Sequence, residues 1–286
     1  MKVAIVTDSN SGVTQQEGKD LGLFILPMPF MINETTFFEG ITLSQEEFYN
    51  KLADNADVLT SQPTPDAVMG LWDEILEEYD QIVHIPMSSG LSGSCQTAKM
   101  LAEDYDGKVE VVNDHRISLT QLQSALNAKA LADQGKTAKE IRECLEADKY
   151  ESSIYITVNT LKYLKKGGRI TATAAAVGTV LSIKPVLTIQ GEKLDAFAKA
   201  RSMKSAKKLM VSAIQKDLEE RFNDPECSNM SLGVAYTEDR EQAEDFKKEL
   251  QEIWPNTDIA VYPLGLSVAC HIGPGALAVA CAKKVK

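Results

Sequence analysis

Short β-rich runs alternate with helix-period segments through the first half of the chain, and this alternation restricts the possible folds more than any other feature. Candidate strands are Val3–Thr7, Leu23–Met28, Gln81–Ile85 and Val109–Val112. Between them the helix starts are explicit. Thr14-Gln15-Gln16-Glu17, Ser44-Gln45-Glu46-Glu47 and Thr137-Ala138-Lys139-Glu140 each place a hydroxyl three residues before a glutamate, the spacing at which side chains and backbone amides cap one another. Thr64-Pro65 gives a cap followed by proline at the first helical position, where no amide is needed. Strands separated by helices predict a largely parallel sheet covered on both faces, with ligands at the carboxyl ends of its strands.

The second half has a different pattern. Ile154–Val158 is expected as a strand and Asn159–Lys166 as a short helix stopped by Gly167-Gly168. Val186–Ile189 and Leu194–Ala198 flank Gln190-Gly191-Glu192-Lys193, a hairpin pattern. A helix near Lys204–Phe222, a strand near Leu232–Tyr236, a helix near Arg240–Ile253 and a strand at Asp258–Tyr262 complete a mixed sheet with helices. At 286 residues two domains are expected, with the boundary near residue 150: an N-terminal α/β domain of residues 1–150 and a C-terminal α/β domain of residues 151–286. The N-terminal part would be a three-layer α/β/α arrangement.

Composition narrows the function. A net charge of −11 argues against nucleic acid as the main partner, because backbone binding needs clustered cations. Five cysteines form no C-x-x-C pair, and an odd number suits no closed disulfide framework, so a reducing cytoplasm is expected. His84, His115 and His271 lack ligand-spaced companions, so no structural metal is expected. No secretion signal is expected ahead of Val3-Ala4-Ile5-Val6. The apolar runs are broken by Pro27, Pro29 or Pro185 and fall short of a membrane span.

Three polar loops carry what chemistry there is: Thr60-Ser61-Gln62-Pro63, Ser88-Ser89-Gly90-Leu91-Ser92-Gly93-Ser94 and His271-Ile272-Gly273-Pro274-Gly275. Glycines there let backbone approach a ligand, while hydroxyls and the first amides of a helix donate to a negative group. If the loops converge, they form a receptor for one carboxylate or phosphate. Ser92 could equally be a plain helix cap. His271, in a Gly/Pro-rich loop, suits hydrogen bonding to a ligand, or service as base to a Ser92 nucleophile. Asp8, ending the first strand, fits an Asx turn better than a metal ligand or catalytic acid. Lys199, Arg201, Lys204, Lys207 and Lys208 form a basic run in an acidic chain, and Lys162, Lys165, Lys166 and Arg169 form a second. Each reads as a solvated face or as a docking surface for an acidic partner.

Taken together, these motifs resemble the DegV family over nearly the whole chain. Val3–Ser9 resembles its opening strand and aspartate-serine loop. Thr60-Ser61-Gln62-Pro63 and Ser88–Ser94 resemble its T-S-Q-P and S-S-x-L-S-G elements, and Leu164–Arg169 its glycine-glycine-arginine turn. Ile183-Lys184-Pro185-Val186 and His271–Gly275 resemble its I-K-P and H-x-G-P-G elements. The chain departs from the family pattern at Asn10, at Asn113–Leu119 and at Cys95.

The resemblance implies a non-catalytic carrier of two α/β domains without a cofactor, similar to the FakB subunit of bacterial fatty acid kinase. A long-chain fatty acid would lie between the domains and be presented to a separate kinase that makes the acyl phosphate. By matching position, Thr60, Ser92 and His271 would hold the carboxylate, with Ser61, Ser89, Gly93 and Gly273 beside them. Arg169, Lys199, Arg201 and Lys204 would face the head-group opening and the kinase. The alternatives are a serine esterase or acyltransferase using Ser92 and His271, against which the absent G-x-S-x-G elbow counts, and a small-phosphate-binding protein, which leaves the apolar segment Gly275–Ala282 unexplained.

Overall fold

The computed structural model describes residues 1–54, 56–177 and 183–285. The chain runs β1 (Val3–Asp8), α1 (Gln15–Leu21), β2 (Phe24–Leu26), β3 (Pro29–Ile32), β4 (Thr35–Phe38), α2 (Gln45–Ala53), β5 (Val58–Thr60), α3 (Pro65–Leu76), β6 (Gln81–Ile85), α4 (Ser94–Ala102), β7 (Val109–Val111), α5 (Leu119–Asp133) and α6 (Ala138–Ala147). It continues with β8 (Ser152–Thr157), α7 (Lys162–Gly167), α8 (Ala172–Val177), β9 (Lys184–Ile189), β10 (Asp195–Ala200), α9 (Met203–Glu220), β11 (Met230–Tyr236), α10 (Arg240–Ile253), β12 (Ile259–Pro263), α11 (Leu266–Ile272) and β13 (Leu277–Lys283).

The expected parallel sheet is present as four strands in the order β2-β1-β6-β7. Side chains alternate along β1, so Ile5 packs towards α5 and α6 while Ala4 and Val6 pack against Trp72 of α3 and Ala98 of α4. All three predicted capping boxes form, at Thr14, Ser44 and Thr137, and Thr64 Oγ1 accepts from Ala67 N–H.

The second sheet is mixed, in the order β10-β9-β8-β13-β11-β12, with only β11 and β12 parallel. One face, carrying Tyr155, Val234 and Val279, is covered by α9 and α10. The other face carries Ile154, Ile156, Ala235, Ala278 and Ala280. It is closed instead by Leu91 and Ile117 from the first half together with Leu164, Leu264, Val268 and Ile272.

Two features depart from the sequence expectations. Leu23–Met28 does not form one strand: β2 ends at Leu26, and after Pro27 the chain enters a separate antiparallel sheet, β4-β3-β5. Pro29 is tolerated there as the first residue of its strand. His271 does not lie in a loop. It occupies the last turn of α11, whose Leu266, Ala269 and Cys270 pack into the core of the small sheet.

Candidate functional site

Packing α11 against the small sheet brings residues 211 positions apart into contact. Thr60 closes β5, and its Oγ1 lies 2.8 Å from Nε2 of His271. Room for the imidazole comes from Gly167 at the end of α7, where an added Cβ would stand 2.0 Å from His271 Nδ1. Burial, reinforced by the positive charge of Arg169, pushes the His271 pKa down to about 4, so the ring is neutral at pH 7. A neutral imidazole presents one donor and one acceptor, and the Thr60 hydroxyl can take either role towards it.

Thr60 and His271 stand at the rim of a cavity of about 220 Å³ between the parallel and mixed sheets. One water needs roughly 10–15 Å³ of such space, so the cavity is far larger than a hydration site. Ser61, Gln62, Ser92, Gly93 and Arg169 complete the polar rim, and Ser61, Gln62 and Gly93 are exposed there. Behind the rim the walls are mostly apolar. Ile154, Ile156, Leu164, Ile189 and Ile272 line them, and alanines 235, 278 and 280 leave the space open.

The rim is rich in donors. Gly93 caps α4 without a side-chain bond, and Ser92 Oγ accepts from Ser94 N–H at 3.2 Å. Arg169 turns inwards, its Nε donating to Leu91 O at 3.2 Å and its Nη1 to Gly167 O. The site therefore includes a cation that a hydroxyl-and-histidine receptor does not require.

Of the sequence-predicted residues, Thr60, Ser61, Ser92, Gly93, His271 and Arg169 meet at this cavity; Ser89 and Gly273 are not part of its wall. Ser89 is exposed and exchanges hydrogen bonds with Asn113. Gly273, at φ +79°, ends α11: its N–H donates to Ala269 O and its carbonyl accepts from Thr237 Oγ1 at 2.8 Å. Arg169 is a wall residue, whereas Lys199, Arg201 and Lys204 are exposed beyond it. Among the described residues no hydrogen bond or ion pair holds the charged groups of those three, in contrast to Lys207, which Glu249 holds at 3.0 Å.

Asp8 makes the expected Asx turn to Asn10 N–H and also accepts from Met87 N–H and Gln121 Nε2, which fixes the first loop. Three contributors escaped the sequence reading. Glu39 accepts from Leu266 N–H at 2.6 Å and so caps α11, with its pKa pushed up to about 7 by burial. Ser118 and Ser267 line the cavity. Among the described residues no group of three or more His, Cys, Asp or Glu side chains could hold a metal ion, and no helix is long and apolar enough to cross a membrane.

Fold and site together define an α/β protein built around an apolar cavity with a hydroxyl, imidazole and guanidinium rim. A family model described as "Uncharacterised protein, DegV family" matches residues 2–284. A DegV domain-containing protein of Clostridium perfringens is 30% identical, with 97% of this chain and 96% of its own covered. Among solved structures, a fatty-acid-binding DegV family protein of Thermus thermophilus gives a TM-score of 0.89 at 28% identity, covering 99% of this chain and 100% of that one. DegV of Bacillus subtilis, a fatty acid binding protein, gives 0.88 at 26% identity, with 99% and 100% covered. The chain belongs to the DegV family.

Proposed function

We propose that this protein binds a long-chain fatty acid, with the tail in the cavity and the carboxylate at Thr60, Ser92 and His271, and presents that carboxylate to a separate kinase for acyl phosphate formation. Residues 1–150 and 151–286 act as the two domains that clasp the acid, in a cytoplasmic setting suited to five unpaired cysteines. The observation that carries the proposal is an apolar cavity whose polar groups are confined largely to one rim. The two solved relatives that bind fatty acids support it.

The energetics agree. Each buried CH₂ contributes about 0.8 kcal/mol, so a C16–C18 tail supplies ample affinity. The carboxylate then needs hydrogen bonds to offset a desolvation cost of several kcal/mol. Rim hydroxyls, the imidazole and Arg169 answer that need. Ester hydrolysis is less well served. The His271 Nε2 contact is with Thr60, the Ser92 hydroxyl contacts Ser94 N–H, and among the described residues no carboxylate orients the imidazole.

Native mass spectrometry of the purified protein tests this reading. A near-stoichiometric fatty acid is expected, lost or reduced in Ser92→Ala, with no ester turnover by either protein. An empty protein that takes up no fatty acid after delipidation, or p-nitrophenyl ester hydrolysis that vanishes in Ser92→Ala, would overturn it.

The kinase docks, on this proposal, at the segment Lys199–Lys204, whose exposed Lys199, Arg201 and Lys204 are free to meet an acidic partner. Rim charge acts mostly on association rate and is screened by salt. Arg201→Ala is expected to retain fatty acid but to slow acyl phosphate formation with the cognate kinase by about three- to tenfold. Raising the ionic strength should slow the parent protein towards the same rate. Equal rates for mutant and parent at both low and high salt would refute docking at Arg201.

A further inference from the structure

One wall of the cavity carries polar groups that the carboxylate site does not use. Ser118 stands at the N-cap of α5, yet its hydroxyl makes no capping bond. Thr120 Oγ1 instead bonds both Ile117 N–H and Ile117 O. Ser118 is 6% exposed, lines the cavity, and its Oγ has no partner among the described residues. Its φ of +55° is one that side chains rarely adopt outside glycine.

Beside it lies Asn10, fully buried, whose carbonyl accepts from Ser118 N–H at 3.1 Å. The Asn10 side-chain oxygen accepts from Ser267 Oγ, and its Nδ2 has no partner among the described residues. Ser267 also lines the cavity and precedes His271 by four residues on α11, so the two share a face about 6 Å of rise apart.

Buried polar groups are nearly always satisfied, and a spare hydroxyl facing an otherwise apolar space marks a place for a ligand's polar atom. A plain alkyl chain passing this wall leaves the Ser118 hydroxyl unanswered. An oxygen on the chain itself, close to the carboxylate, answers it. A hydroxyl suits best, because it can both donate to and accept from a serine.

We propose that Ser118 and Ser267, with Asn10 packed behind them, form a second polar subsite that selects acyl chains bearing a hydroxyl near the carboxylate, at carbon 3, over unsubstituted chains. The inference rests on the fatty-acid reading above and adds the class of acid. Discrimination should be appreciable, since a site built to hydrogen-bond a hydroxyl penalises the analogue that lacks it.

The test is calorimetric titration of the delipidated protein with palmitic acid and with each enantiomer of 3-hydroxypalmitic acid. One enantiomer is expected to bind about tenfold or more tightly than palmitic acid, as a satisfied buried hydrogen bond allows. In Ser118→Ala that ratio should fall to within about threefold of one. Ser118→Gly, which suits the positive φ, repeats the deletion should the alanine variant fold poorly. Equal binding of all three acids by the parent protein, as expected were an ordered water to satisfy Ser118, overturns the proposal. So does a preference that survives both substitutions. In those cases palmitic acid still binds and the fatty-acid reading stands; binding of no acid at all sinks both.

Discussion

Replacing Ala278 by phenylalanine is expected to abolish retention of a long-chain fatty acid while leaving a folded protein. Ala278 sits in β13 opposite Ala235 of β11 and Ile156 of β8, and all three line the cavity. The space exists because alanines stand where the other face of the same strands carries Val234 and Val279, which fill their side against α9 and α10. Small-to-large changes are costly in a filled core, where the new atoms must displace old ones. Here the ring enters existing space, and the added apolar contact offsets part of any strain. The ligand has no such freedom. Excluding roughly six methylenes at about 0.8 kcal/mol each removes about 5 kcal/mol, more than a thousandfold in affinity. Displacement of a fluorescent fatty acid, with thermal unfolding run alongside, measures both halves of the expectation. A folded Ala278→Phe protein with parental affinity would place the tail outside this cavity.

How much could be read in advance depended on whether a feature was local. Caps at Thr14, Ser44, Thr64 and Thr137 were legible because each is completed within four residues, and all four form. The hairpin at Gln190–Lys193 and the helix Arg240–Ile253 were legible for the same reason. Helix α11 was not. It has seven residues, nearly all buried, so it lacks the apolar-polar period that marks a helix in sequence.

Strands β3, β4 and β5, of three or four residues each, were too short to register. The polar loops announced a rim, but the contact between Thr60 and His271 depends on α11 packing against that unforeseen sheet. The cavity was still less visible. Alanines 235, 278 and 280 look like ordinary strand residues until the register of β8, β13 and β11 places them on one face. Ser118 and Ser267 share that obscurity, since neither belongs to a polar loop and each matters only through what it faces.

The rim offers an equally direct test through Gly167. At the end of α7 an alanine would ordinarily favour the helix by up to about 1 kcal/mol over glycine. Here its Cβ would stand 2.0 Å from His271 Nδ1 and 2.7 Å from Cε1, distances that no pair of unbonded atoms tolerates. The backbone need not yield, because the obstructing atoms belong to a side chain that can rotate. Gly167→Ala is therefore expected to fold and to swing the imidazole away from Thr60. A carboxylate bound there loses a hydrogen bond to a charged group, worth about 1.5–3 kcal/mol, or roughly ten- to a hundredfold in affinity. His271→Ala removes the same contact by deleting the ring. Because both substitutions act on one interaction, the double variant should bind fatty acid no more weakly than the single ones. Fatty-acid titrations of the four proteins complete the cycle. Losses that add would mean that Gly167 acts on the ligand by a route other than His271, and an unchanged affinity in Gly167→Ala would remove the imidazole from the head-group site.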